Sequence, residues 1–180
     1  MKKIFIIFLG AIAFAACNSK SNMATEATTD STATTSPTEK VDYPYTIDHP
    51  DNWNIGSSAN TLTALTALKA YEDGDIDKSV AQFGDSVRLQ FDALDTTVSK
   101  DSLKAMFTRM RGDIKSMNVK MGDWESVVSK DGKEEWVTMW YKQTWENNSG
   151  KKDSAQIIDD VQLKNGKIIR LDEYTRKLHN

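Results

Sequence analysis

Cysteine is almost missing from this chain: the 180 residues contain one, Cys17, near the N-terminus. A single thiol forms no internal disulfide, so the folded part must be held by core packing. Histidine is nearly as scarce, with only His49 and His179, and no Cys/His cluster exists. A twelve-residue loop of the D-x-D-x-D-G type is also lacking, so no metal site is expected. There is no G-x-G-x-x-G, no P-loop and no G-x-S-x-G. Nucleotide cofactors therefore have no signal, no histidine is placed to activate a serine, and the expectation is no cofactor. Basic residues do not gather either. Lys and Arg number 23 against 26 Asp and Glu, the net charge is -3, and the signs are dispersed. A nucleic-acid binder normally shows a basic stripe, so nucleic acid is not an expected partner. Beyond the N-terminus no apolar run approaches the ~20 residues of a spanning helix.

What is present begins with Lys2 and Lys3, an apolar run over residues 4–14, and Ala15-Ala16-Cys17. The run is too short and wrongly flanked to span a membrane, and it reads as a secretory signal. Small residues just before a cysteine resemble the bacterial lipoprotein signal. That resemblance implies cleavage before Cys17 and lipidation of Cys17; the alternative is an ordinary signal with an incidental cysteine. Residues 1–16 are then a lipoprotein signal peptide. Residues 17–40, rich in Ser, Thr and Ala, form a disordered tether that cannot bury enough surface to order itself. A lipidated Cys17 makes the membrane a partner through its acyl chains. The expected location is the bacterial cell envelope, lipid-anchored, on the outer membrane facing the periplasm.

Residues 41–180 are the expected domain. Pro44 and Pro50 discourage regular structure at its start, while Tyr43, Tyr45, Ile47 and Trp53 are too apolar for a solvated linker. This arm is expected to lie across the domain, anchored by Trp53; a ligand lid is the alternative. Ala64, Leu65, Leu68 and Tyr71 fall at helical spacing and predict a helix over 59–73, stopped by Gly74. Asp75 caps a second, short helix carrying Ile76, Val80 and Phe83 on one side. Residues 86–92 alternate and predict a half-buried strand. Leu103, Met106, Phe107, Met110, Ile114 and Met117 form one stripe, which predicts a helix over 101–116 capped by Ser99 or Asp101. Strands follow over 119–129 and 134–146, with a turn signal at 130–133. Two more, over 154–164 and 167–174, flank Asn165-Gly166, a strong hairpin signal. Helices segregated against an antiparallel meander make an α+β domain.

Taken in order, LTALKAYEDGDID, FGDSVRLQF, WVTMWYKQTW and VQLKNGKIIRLDEY resemble the nuclear transport factor 2-like superfamily, in particular its SnoaL-like and ketosteroid-isomerase-like members. The resemblance covers residues 60–174. It implies a curved antiparallel sheet wrapped round about three helices to form a cone with a pocket. Members include isomerases, cyclases, dehydratases and non-catalytic binding modules, so fold alone does not settle activity. Three readings stay open: a binding module for a small apolar ligand or a protein partner, an isomerase- or cyclase-like enzyme, and a structural envelope protein. Tyr71, Phe107, Met110, Trp136 and Trp140 are the candidates for the pocket wall.

One place invites chemistry. A two-residue turn at Asn165-Gly166 pairs Leu163 with Ile168, Val161 with Arg170, Asp159 with Asp172 and Ile157 with Tyr174. Opposed carboxyls about 5 Å apart at Cβ repel unless they are solvated, paired or share a proton. Arg170 stands on the same face as Asp172. In a closed pocket Asp159 or Asp172 would serve as a general base with Tyr174 as donor; on an exposed face the same residues are a solvated ion cluster, which is the expectation. The long strand holds aromatics on both faces: Trp136 and Trp140 with Thr138, and Tyr141 and Trp145 with Val137 and Met139. Both faces therefore need cover. The arm with Trp53, or a second copy of the domain in a homodimer through the sheet, would supply it.

Overall fold

The computed structural model describes residues 42–46 and 53–178. The signal peptide, Cys17, the tether, His49 and His179 lie outside the described residues, as do Ile47 and Pro50. Among the described residues three helices and seven strands follow one another as β1 (Trp53–Ile55), α1 (Ser58–Asp73), α2 (Ile76–Val80), β2 (Phe83–Phe91), β3 (Leu94–Ser99), α3 (Lys100–Gly112), β4 (Ile114–Ser129), β5 (Glu135–Asn147), β6 (Lys152–Lys164) and β7 (Lys167–Lys177). No helix among the described residues is long and apolar enough to cross a membrane.

The helices end where their chemistry says. Ser57 caps α1 by accepting from the Ala59 N–H, and Gly74 closes it in the left-handed region at φ 81°. The Asp75 N–H returns to the Ala70 carbonyl at 2.8 Å, and the Asp75 side chain caps α2 through the Lys78 N–H. This satisfies backbone groups that a helix end otherwise leaves orphaned. Of the two candidate caps for α3, Ser99 does the capping, accepting from the Ser102 N–H at 3.2 Å. The helix stops at Gly112 rather than continuing to 116. Ile114 and Met117 therefore belong to β4, which begins five residues before the expected start at 119. Their spacing fits a helix, but Gly112 is a weak helix former and the chain leaves the helix there.

The strands form one sheet in the order β1-β4-β5-β6-β7-β2-β3. Every neighbouring pair is antiparallel except β2 and β7, which run parallel. β3 is an edge strand with no counterpart in the sequence-derived elements; its DTTVS is polar, and it pairs with β2 across Asp92-Ala93, Asp92 having φ 49°. The arm's described end is β1, which extends the other edge by pairing Trp53 with Ser129. Trp53 is 38% exposed and borders a surface groove with Thr61 and Trp124 rather than the main cavity; residues 47–52 of the arm lie outside the described residues.

All three helices pack on one face of the sheet. Ala64 and Ala67 of α1, Val80 of α2, and Leu103 and Phe107 of α3 meet Val87, Leu89, Val137, Met139, Tyr141, Ile157, Val161 and Ile168 from the strands. The buried face of α1 is built from alanines, with Leu65, Leu68 and Tyr71 flanking it, so this helix can sit close to the strands. Arg111 locks the helical layer to the sheet. Its guanidinium donates to the carbonyls of Tyr71 and Glu72, at 3.1 and 3.0 Å, and of Ile114, at 2.7 Å. Glu72 in turn accepts from the Val119 N–H at 2.9 Å.

Four register shifts interrupt the ladders among the described residues, and two of them bear on the site. The β4–β5 register shifts between Met121 and Asp123. Gly122 lies at that step, and a Cβ there would stand 3.0 Å from the Trp140 carbonyl oxygen. The second shift lies in the last hairpin, between Gln162 and Leu163. Such bulges increase twist and curl a sheet, which is what a cone requires.

Candidate functional site

The second bulge decides which side chains meet. The Asn165-Gly166 turn pairs Lys164 with Lys167 and Leu163 with Ile168, as expected. Then Gln162 pairs with Arg170, so Ile169 is the extra residue. Beyond it every partner moves by one. Asp159 stands opposite Glu173, not Asp172, and Asp172 stands opposite Asp160. Tyr174 faces Ile158 instead of Ile157. The expected Asp159–Asp172 pair does not exist.

The two acids end on opposite sides of the sheet. Asp159 alternates with Ile157 and Val161 and points to the helices; it is 5% exposed. There it lines a cavity of about 280 Å³ between the helical layer and the sheet. α1 contributes Ala64, Ala67, Leu68 and Tyr71, α3 contributes Phe107 and Met110, and β2 contributes Phe83 and Phe91. Ile114 and Met117 of β4 and Met139, Tyr141, Gln143 and Trp145 of β5 form the opposite wall, with Val161, Ile168, Leu171 and Glu173 beside Asp159. Met110, 42% exposed, marks the open end. Phe107 is fixed by edge-on contacts with Tyr71 and Phe83, at centroid distances of 5.1 and 5.8 Å.

Of the five wall candidates, Tyr71, Phe107 and Met110 are in the wall. Trp136 and Trp140 are not, because β5 turns its other face inward: Met139, Tyr141, Gln143 and Trp145 look into the cavity. Trp140 borders a shallow outer groove with Ile158 and Tyr174. Tyr174 is 63% exposed and takes no part in the cavity, so it is no donor to Asp159.

Tyr141, from the neighbouring strand, takes that role. Its hydroxyl donates to Asp159 Oδ2 at 2.8 Å, and Asp159 Oδ1 has no hydrogen-bond partner among the described residues. Burial pushes the Asp159 carboxyl up to about 8; the facing Glu173 pushes the same way, and the Tyr141 hydrogen bond opposes them. Burial also raises Glu173, against the hydrogen bond that Thr175 donates to it. The Tyr141 hydroxyl is held well above the ordinary phenol range by burial and then by Asp159 and Glu173. Tyr71 is pushed up to about 12, chiefly by burial. At neutral pH the site therefore holds a protonated carboxyl with an open oxygen, flanked by two neutral phenols.

Asp172 has a different life on the outer face. Arg170 donates to it through Nε at 2.8 Å and pairs with its other oxygen at 2.7 Å. The same guanidinium donates to the Gln90 side chain and lies 5.4 Å from the Trp136 ring centroid. Asp160 accepts from Thr138 at 2.8 Å, and its carboxyl is raised by burial. This ion-paired cluster cannot serve as a base for a ligand in the cavity, so Asp172 leaves the set of candidates. No cluster of three metal-ligating side chains occurs among the described residues.

Sequence reasoning missed Glu173, Tyr141 and the inward side of β5. One signal for Asp159 was there: Ala155, Ile157, Asp159, Val161 and Leu163 alternate with neighbours that are polar except for Ile158, and an acid in an otherwise apolar face is a buried acid.

No protein-family model matches the chain, and no curated protein matches it. Solved structures do. An epoxide hydrolase of the LEH-like kind from Mycobacterium tuberculosis is 15% identical, with a TM-score of 0.54 over 67% of this chain and 84% of that one. A nuclear transport factor 2-like protein of unknown function from Burkholderia pseudomallei is 14% identical, with a TM-score of 0.55 over 67% and 92%. Another M. tuberculosis protein, solved in complex with estradiol-17beta-hemisuccinate, is 12% identical, with a TM-score of 0.53 over 66% and 94%. The chain has the nuclear transport factor 2-like fold. Identities this low establish the fold and no activity.

Proposed function

We propose that this chain is an exported, lipid-anchored protein whose cone-shaped domain binds a small, largely apolar molecule carrying one polar group. The observation that carries the reading is Asp159: a carboxyl 5% exposed, in an apolar cavity, with one oxygen unpartnered. Buried polar atoms in proteins nearly always have partners, and an exception that points into a cavity calls for one. An open cavity with few polar groups is the usual form of a small-molecule site. It also speaks against the purely structural reading, in which side chains fill the cone. The solved relative that holds a steroid ester fits the same picture.

A neutral probe tests the cavity. 2-Naphthalenemethanol is expected to bind the full-length chain saturably, one per domain, by calorimetry. Met110→Trp, at the open end, is expected to weaken it about tenfold or more by filling space the ring needs. No saturable heat from this alcohol or from the amine and acid of the same ring system, or equal affinity in the variant, would refute the reading.

The anchor is proposed on the N-terminal sequence alone. Cys17→Ala is expected to move the protein from the membrane fraction to the soluble envelope fraction, because single signals short of acylation hold proteins weakly. A variant that still partitions with membranes would contradict it.

A second reading has its own support: burial pushes the Asp159 carboxyl up to about 8, a range that suits proton transfer near physiological pH. The enzyme alternative then runs through Asp159 as acid or base, with Tyr141 orienting it. Its signature is turnover with an inflection near that pH that vanishes in Asp159→Asn; a profile without the inflection would exclude it.

A further inference from the structure

We infer that the ligand of this cavity is an organic cation, a protonated amine carried on an apolar, preferably aromatic, body. The inference rests on the pocket reading above and names the class of molecule. Its ground is a charge imbalance built into the wall. Asp159 of β6 and Glu173 of β7 are direct cross-strand partners, and both line the cavity. Among the described residues no lysine, arginine or histidine lines it. The titratable groups that face the pair from the packed elements are Tyr141 of β5 and Tyr71 of α1, both neutral phenols. Asp160 and Asp92, nearby, add negative charge. Arg111 of α3 stands beside Tyr71, but its guanidinium is committed to three backbone carbonyls.

The pair is therefore left without a counter-charge of its own. An unpaired buried carboxylate is expensive, and the pair answers by holding a proton. That solution leaves Asp159 Oδ1 unpartnered and Glu173 facing it. An ammonium placed between them resolves both at once: one N–H goes to Asp159 Oδ1, another to Glu173, and the proton held by the pair leaves to solvent. The walls suit such a guest. Tyr71, Phe107, Tyr141 and Trp145 offer ring faces that attract a cation, while Ala64 and Ala67 leave room for its apolar body. A carboxylate ligand would meet like charge, which discriminates against it. A neutral acceptor would satisfy the held proton and leave Glu173 uncompensated.

Three ligands with one ring system test this on the full-length chain by calorimetry: 2-naphthylmethylamine, 2-naphthalenemethanol and 2-naphthoate. At pH 8 the amine is expected to bind about tenfold or more tighter than the alcohol, with naphthoate the weakest. The amine's affinity is expected to fall as pH drops from 8 to 5, because binding must then displace a proton that the pair holds more tightly. The alcohol's affinity is expected to change little or to rise over the same range. Asp159→Asn and Glu173→Gln are each expected to weaken the amine about tenfold more than they weaken the alcohol. If the alcohol binds and the amine binds no tighter, or the amine is indifferent to pH, the cation inference falls and the pocket reading stands. If none of the three binds, both fall.

Discussion

Asp159→Asn is expected to make the protein more stable at pH 8 than the wild type, and to leave the two alike near pH 4. The unfolded carboxyl titrates near ~3.9. The folded one is pushed up to about 8 by burial and by Glu173. Between those values the unfolded chain has released the proton and the folded protein still holds it. Wild-type stability is thus full below the unfolded value, falls as pH rises from about 4 towards 8, and levels off above. A shift of this size corresponds to a loss on the order of 5 kcal/mol across that window, large against the total stability of a domain. Asparagine keeps an acceptor for the Tyr141 hydroxyl and cannot ionise, so the slope should shrink to what Glu173 contributes on its own. Urea midpoints at unit steps from pH 4 to pH 8 read this directly. A wild type as stable at pH 8 as at pH 5 would show that Asp159 is not held protonated.

Arg170→Met is the second large effect. Asp172 is 5% exposed, and its two oxygens are held by one guanidinium. Removing that partner leaves a buried carboxylate facing Asp160 across the strands. Breaking a buried pair from one side costs about 3–5 kcal/mol, whereas replacing both sides with apolar groups can be nearly neutral. The double variant Arg170→Met with Asp172→Leu is therefore expected to recover most of the loss. Binding of 2-naphthalenemethanol should survive in both proteins, because the cluster lies on the face away from the cavity. A loss below about 1 kcal/mol in the single variant would mean that the pair behaves like an exposed one.

Local chemistry made much of the fold legible. Gly74, Asp75, Ser99 and Asn165-Gly166 each carry a backbone instruction, and each acts where it stands. The site was harder, for two physical reasons. A bulge is one uncounted residue, and nothing in KIIRLDEY marks Ile169 as the unpaired one, so the register came out one step wrong and Asp172 took the place of Glu173. The inward side of β5 was undecidable from the strand itself, because Trp136 and Trp140 on one face and Tyr141 and Trp145 on the other are equally apolar. Only the helices, by packing on Met139 and Tyr141, break that tie. β3 escaped because an edge strand buries little and carries no apolar alternation.

The position of β7 has a consequence for when the protein can fold. The last strand of the chain lies between β6 and β2, and its parallel pairing with β2 joins segments some eighty residues apart. Until residues 167–177 exist, β2 has no partner except β3, and the wall that holds Glu173 is missing. Long-range pairings of this kind form slowly, because a large loop must close before any contact rewards it. A chain made from its N-terminus therefore cannot complete the sheet until residues 167–177 have been made.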